Sequence, residues 1–436
     1  MKLRTVLTGN DSPGRAVTLG IQHVFAMFGS TVLVPALTGL DPAVTLFCMG
    51  IGTLIFHLIT KGIVPAFMGS SFSFIAAINA VSAYCAADNI MDFASYVGWG
   101  IIASGVLYLI LVLLVKLCGA KLITSFFPPI VTGCMIIIIG MMLAPTAMSN
   151  ITTVAEGIPL WKNWLVAVVT VAIIIVVMFF FRGFWKLIPI LFGIVGGYLL
   201  ALALGMVDLT SIREAPWFEL PKFTLPAFKN WNAVVYAVTM IAPISVVTFV
   251  EHVGDISANG AVTGNDYIEE PGLHRTLLGC GLASIVSGGM GGPAATTYSE
   301  NTGVLAATRN YNPATLRIAA LFAIVLALFG KVSGFLDSIP LPVMGGVSII
   351  LFGMIASVGL RMLVENGVDF TKSYNLVIAA VMLVIGLGLP NGITVGTVSV
   401  SGTAIAAVLG VILAKLLPRE ESEERAAKKE AAKNQK

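Results

Sequence analysis

Apolar residues run through this chain in blocks of about 17 to 25, each long enough to cross a roughly 30 Å hydrocarbon layer as a helix. Fourteen such blocks follow one another almost end to end, at 17–39, 42–60, 66–83, 98–117, 127–148, 163–181, 187–206, 233–256, 275–290, 294–308, 313–333, 340–360, 374–389 and 396–417. The third and tenth are the weakest. Pro65, Gly69, Ser70 and Ser71 interrupt one, and Gly288, Gly289, Gly291, Gly292, Pro293 and paired threonines interrupt the other; such residues discourage continuous helix. Irregular backbone at membrane depth is tolerated only where protein or a wet cavity surrounds it. Both segments are therefore expected in the interior, offering free N–H and C=O groups and the positive ends of the half-helices that follow.

The pattern also repeats. "IQHVFAMFG" in the first block is matched by "VEHVGDIS" in the eighth, "MGSSFSFI" in the third by "ATTYSENTG" in the tenth, and "FFPPIVTGCMIIIIGMMLA" by "SIPLPVMGGVSIILFGMIA". The order is the same in both halves. An odd number of spans per repeat inverts the second copy, so the expectation is an all-α polytopic membrane protein built as two inverted seven-span repeats. The predicted boundaries are an N-terminus at 1–16, repeat one at 17–206, a proline- and aromatic-rich linker at 207–232, repeat two at 233–417 and a tail at 418–436.

Composition agrees with the pattern: 57% of the 436 residues are hydrophobic and only 11% charged, with a mean hydropathy of +0.95. A soluble domain with a polar exterior does not look like this. The net charge of +3 matters less than the placement of Lys and Arg. With the N-terminus inside, cytoplasmic segments collect Arg15, Lys61, Lys116, Lys121, Arg182, Lys186, Arg275, Arg309, Arg317, Arg361, Lys372 and the charged tail. Both termini are thus expected in the cytoplasm. The first fifteen residues have no apolar core, so no cleavable signal is expected and the first helix directs insertion. Cys48, Cys85, Cys118, Cys134 and Cys280 lie singly in apolar runs and read as small buried hydrophobes. "GGMGGP" lacks the Lys-Ser/Thr of a phosphate loop. With no metal-ligand spacing and no nucleophile-base arrangement, neither a cofactor nor an enzymatic activity is expected, and no nucleic-acid partner.

Ionisable side chains inside membrane spans are costly enough to be functional candidates. Glu251, Asp255 and Glu300 are the ones that do not fall at an interface. Glu251 and Asp255 are four apart and share a helix face. Two such carboxyl groups resist ionising together in a poorly solvated site, and a carboxyl that can hold or release a proton near neutrality is what proton coupling needs. Two of the three have a plainer reading: Asp255 as a wet residue near its helix end, Glu300 as a charge complementing a helix N-terminus. His23 and His252 sit beside polar partners in repeat-related positions and are ligand contacts or satisfied structural histidines. Phe72 and Tyr298 hold matching places in the broken segments, where they stack on a flat ligand or simply pack. Two carboxylates, free backbone N–H groups and an aromatic face suit a flat, neutral molecule with alternating N–H and C=O groups, as in a nucleobase.

"ENTGVLAATR" at 300–309 and Gln22-His23 carry a resemblance to the nucleobase-ascorbate transporter family, whose signature reads Gln/Glu/Pro-Asn-x-Gly-x-x-x-x-Thr-Arg/Lys/Gly. "EHVG", "PGLHR" and "IPLPVMGGVS" extend it through nearly the whole chain, towards the bacterial uracil-carrying branch. The resemblance implies a short β-strand in each of spans 3 and 10. It further implies a core domain of spans 1–4 and 8–11, a gate domain of spans 5–7 and 12–14, a homodimer formed through the gates, and elevator-like symport of uracil with protons across a bacterial inner membrane. Carried over, Phe72, Glu251, Tyr298, Ser299 and Glu300 would bind substrate, with amides at Phe72 and Ser299 meeting its carbonyls. Glu251, Asp255 and Glu300 would couple protons, supported by Gln22, His23, His252 and Asn301. Asp255 and Ser299 replace the His and Gly of the uracil pattern, which leaves xanthine or a broader nucleobase range as the alternative.

Overall fold

In a computed structural model of the protein, residues 12–119, 125–155, 157–390, 392–395 and 398–418 are described. Most of the expected N-terminal segment, Lys121 and all but the first residue of the expected tail lie outside them.

The chain is largely helical. In order come α1 (Pro13–Thr38), α2 (Pro42–Ile59), β1 (Met68–Ser70), a single 3-10 turn Phe72–Phe74 running into α3 (Ile75–Ala87), α4 (Phe93–Cys118), α5 (Pro129–Met142), α6 (Ala144–Thr152), α7 (Leu160–Phe180), α8 (Pro189–Ala203) and the short α9 (Thr210–Glu214). The second half holds α10 (Trp231–Ile241), α11 (Ile244–Thr263), α12 (Leu273–Gly289), β2 (Ala295–Thr297), α13 (Ser299–Thr308), α14 (Pro313–Ala327), α15 (Gly330–Asp337), α16 (Leu341–Glu365), α17 (Ser373–Gly388), β3 (Ile393–Val395), β4 (Val398–Val400) and α18 (Gly402–Leu416). Prolines open α1, α2, α5, α8 and α14, a position where the missing N–H costs no helical hydrogen bond. The Asp41 side chain caps α2 by accepting from the Val44 amide at 2.9 Å.

Among the described residues seven stretches are long and apolar enough to cross a membrane, and an eighth is the α14–α15 pair bent by 79°. Shorter apolar helices fill the intervals, so the protein is a multi-pass membrane protein. Several expected spans differ in form. Those at 127–148, 233–256 and 313–333 are each two helices, broken at Leu143, at Ala242-Pro243 and at Leu328-Phe329. The expected span at 396–417 begins as a strand: β3 and β4 pair antiparallel, Ile393 opposite Val400. The β-branched residues of β3 and β4 supply the strand propensity, which the apolar average masks. Cys118, expected buried, is exposed at the end of α4, in a last turn where Lys116 and Leu117 are exposed as well.

The helices pack in two sets. In one, α4 lies along α12, α2 between α12 and α14, α1 against α14, and α10 against α4; this set carries both β1 and β2. In the other, α16 packs on α5, α6 and α7, α7 on α8, and α17 on α18. Glycines bring backbones close inside both sets. A Cβ on Gly105 would come within 2.7 Å of the Gly281 carbonyl, and one on Gly359 within 2.7 Å of that of Gly133, the small-residue contact that membrane helices favour. Residues 215–230 lie across the end of the first set, where Thr224 N–H donates to Met290 O and Trp99 Nε1 to Ala227 O.

Candidate functional site

The site begins with a sheet of two strands more than two hundred residues apart. β1 pairs antiparallel with β2, Met68 opposite Thr297, Gly69 opposite Thr296 and Ser70 opposite Ala295. The Ser71 amide donates to Ala294 O at 2.9 Å and the Tyr298 amide to Phe67 O at 3.0 Å. Backbone groups that membrane depth would otherwise leave unsatisfied are thereby paired. Each strand hands over to a helix, at Phe72 and at Ser299, and neither helix start has a side-chain cap. First-turn N–H groups from both, with the positive ends of two helix dipoles, are left beside the crossing.

The Tyr298 ring seals one side of it. Its hydroxyl donates to Ser70 O at 2.8 Å, Ser70 Oγ donates to Thr31 O at 3.0 Å, and the ring lies so close over Gly69 that a Cβ there would collide with it. Phe72 lies parallel to Tyr298 within 1°, ring centroids 6.4 Å apart.

Helix α11 passes the crossing and brings the acids. Ser73 Oγ donates to Glu251 Oε2 at 3.2 Å, tying α11 to the first broken segment. One turn on, Asp255 accepts from Thr297 Oγ1 at 2.8 Å and from Ser299 Oγ at 2.7 Å, tying it to the second. Glu300 opens α13 and accepts from Ser30 Oγ of α1 at 2.7 Å. Each carboxylate thus keeps a neutral hydroxyl donor, and among the described residues no salt bridge involves any of them. All three are only half-buried and Ser299 is exposed, so this face of the crossing is open. On the Phe72 side it is shut: Phe72 and Ser73 face Met142, Leu143, Ser401 and Thr403 of the other helix set across a cavity of about 10 Å³, room for scarcely one water.

Of the residues expected at a site, the structure brings together Phe72, Glu251, Asp255, Tyr298, Ser299 and Glu300. His23 serves as an anchor, its ring nitrogen and carbonyl both 3.1 Å from Asn301 Nδ2. His252 is turned away from the open face, with Nε2 2.9 Å from Thr276 Oγ1. Gln22 joins none of these bonds, and its amide oxygen is buried without a partner. Sequence reasoning passed over Ser30, Ser73, Thr276 and Thr297 as named participants. Ser30 had a signal, since it lies two helical turns from His23 on one face of α1. No group of three or more His, Cys, Asp or Glu among the described residues is arranged to hold a metal.

A multi-pass helical protein with acids, hydroxyls and helix ends gathered at two interrupted segments is a membrane carrier in form. Solved structures of similar fold include the transmembrane domain of the cyanobacterial bicarbonate transporter BicA, with a TM-score of 0.63 at 16% identity over 95% of this chain and 98% of that one. The murine anion transporter Slc26a9, in its inward-facing state, gives 0.65 at 13% identity over 93% and 68%. At such identities the likeness is one of fold. Sequence relatives go further. Residues 14–395 match the model described as "Permease family". The chain is 44% identical to the uracil permease of Bacillus caldolyticus over 95% of each chain, 43% to that of Bacillus subtilis over 95% of each, and 38% to that of Escherichia coli over 91% of this chain and 90% of that one. The chain belongs to this permease family, the nucleobase-ascorbate transporters.

Proposed function

We propose that the protein imports uracil together with protons across a bacterial inner membrane. The observation that carries this is the placing of Glu251 and Glu300, from different segments, beside the parallel rings of Phe72 and Tyr298 and two uncapped helix starts. Uracil presents ring N–H donors and carbonyl acceptors around a flat ring. Carboxylates accept from the former, first-turn amides at Phe72 and Ser299 donate to the latter, and the two aromatic rings flank the faces. A base stacked between two rings needs about 7 Å, twice the roughly 3.5 Å of carbon contact, so a small outward turn of Phe72 admits it. Relatives named uracil permease support the choice of substrate.

In this reading the chain makes fourteen crossings as two inverted repeats with both termini cytoplasmic. The set carrying β1 and β2 is the core, the set of α5–α8 and α16–α18 is the gate, and gates pair in a homodimer. The core slides against the gate to expose the site alternately. The open Asp255–Ser299 face lies towards the cytoplasm and the shut Phe72 side against the gate. Inward proton movement supplies about 2.3 kcal/mol per 100 mV and about 1.4 kcal/mol per pH unit, sufficient for tenfold to hundredfold accumulation.

A xanthine or broader nucleobase carrier is the second reading, favoured by Asp255 and Ser299, which bond one another at 2.7 Å where the uracil pattern has His and Gly. Against it, a carboxylate at position 300 accepts but does not donate unless protonated, unlike the Gln usual in xanthine and urate carriers, and so selects different ring edges. The test is uptake of labelled uracil into proteoliposomes under an imposed inward proton gradient, in competition with xanthine and thymine. Gradient-stimulated uptake displaced poorly by xanthine is expected. Uptake indifferent to the gradient, or displaced by xanthine at equal concentration, contradicts the reading.

A further inference from the structure

We propose, resting on the symport reading above, that His252 is a positioning residue: through the Thr297 hydroxyl it gives the protonated form of Asp255 a complete set of hydrogen bonds.

His252 is fully buried. Its Nε2 lies 2.9 Å from Thr276 Oγ1, and the single hydroxyl hydrogen of Thr276 goes to Leu273 O at 3.0 Å. Thr276 therefore receives from the histidine, and Nε2 carries the ring hydrogen of the neutral imidazole. That leaves Nδ1 bare, facing Thr297 Oγ1 at 3.4 Å and Cys280 Sγ at 3.4 Å. The Thr297 hydroxyl is thus set between two acceptors, Asp255 Oδ2 at 2.8 Å and His252 Nδ1.

When Asp255 is ionised, Thr297 donates to it and the Cys280 thiol donates to Nδ1. When Asp255 takes up a proton, its new O–H donates to Thr297 Oγ1, and Thr297 turns its own hydrogen to Nδ1. Neither state leaves a buried hydroxyl orphaned, which is otherwise costly. The proton itself stays on Asp255; no bond to the histidine forms or breaks. The other titratable groups around Asp255 are Glu251 on its own helix, Glu300 at the head of α13, Cys280 of α12 and Tyr108 of α4. None of these gives Thr297 the second acceptor that the protonated state requires. A histidine that merely filled space would have no need of a fixed tautomer.

The experiment uses the full chain in proteoliposomes and reads the initial rate of labelled uracil uptake as external pH is stepped. Thr276→Val removes the acceptor that fixes Nε2–H, letting Nδ1 carry the hydrogen and favour ionised Asp255. His252→Phe keeps the planar bulk and removes both nitrogens. Thr276→Ser restores the hydroxyl. Because both disruptive changes disfavour protonated Asp255, more protons are needed to load it. The pH of half-maximal uptake is expected to fall by about one unit, tenfold in proton concentration, in Thr276→Val and His252→Phe, and to keep the wild-type value in Thr276→Ser. Rates lowered equally at every pH, with an unmoved half-point in Thr276→Val and His252→Phe, would overturn the proposal. Failure of the symport reading is distinguishable, because the wild-type protein alone would then take up no uracil or do so indifferently to pH, and the role of His252 would fall with it.

Discussion

The two interrupted segments share a backbone plan and differ in what they carry. Both run strand, break, helix, and the antiparallel register from Met68–Thr297 to Ser70–Ala295 sets the helix starts at Phe72 and Ser299 at opposite ends of the crossing. The first segment contributes a ring and buried hydroxyls and closes against Met142 and Thr403. The second likewise carries a ring and buried hydroxyls, at Tyr298, Thr296 and Thr297, and adds an exposed serine and a half-buried glutamate. The pairing therefore supplies backbone donors from opposite directions, while the difference in side chains gives the site one closed, largely apolar wall and one open, acidic wall. A flat molecule with polar edges is the shape such a pair of walls accepts.

The comparison breaks most severely at Gly69, where the strands cross under Tyr298. Gly69→Ala forces the ring off the backbone and is expected to cost about 3 kcal/mol, the upper range for overpacking. A thermal melt of the detergent-solubilised protein reads the loss, and uracil binding disappears with it. A melt unchanged from wild type would mean that the Tyr298 ring does not sit where it is described. A smaller change sharpens the comparison instead. Ser73→Ala removes the one hydroxyl by which the first segment reaches an acid, Glu251, and leaves the fold intact. A single hydrogen bond of about 1 kcal/mol corresponds to roughly fivefold weaker uracil binding, measurable by equilibrium binding; no change would place Glu251 outside the reach of the first segment.

Much of this was legible in the sequence, for identifiable reasons. Pro65 with Gly69, and Gly288 to Pro293, advertise interrupted helices because no other residues break an apolar run so cheaply. Glu251, Asp255 and Glu300 stand out because a carboxyl inside a membrane span needs a reason to be there. What was not legible depended on long-range geometry. The Ser30–Glu300 bond joins residues 270 apart, and neither local pattern contains it. The orientation of His252 is set by Thr276 on another helix. The β3–β4 hairpin hides because Ile393–Val395 and Val398–Val400 are as apolar as the spans around them. The breaks at Leu143 and Ala242-Pro243 sit inside runs that stay apolar on both sides, so hydropathy alone joins the two helices of each.

The claim on which everything else depends is that Glu251 and Glu300 hold the same ligand. Equilibrium binding of labelled uracil to the purified protein, alongside Glu251→Gln and Glu300→Gln, tests it most directly. Each substitution replaces an acceptor by a partly donating amide, and a hydrogen bond to a charged group is worth about 1.5 to 3 kcal/mol. Each variant is therefore expected to melt like the wild type and to bind uracil at least tenfold more weakly. Wild-type affinity in either variant would contradict the account.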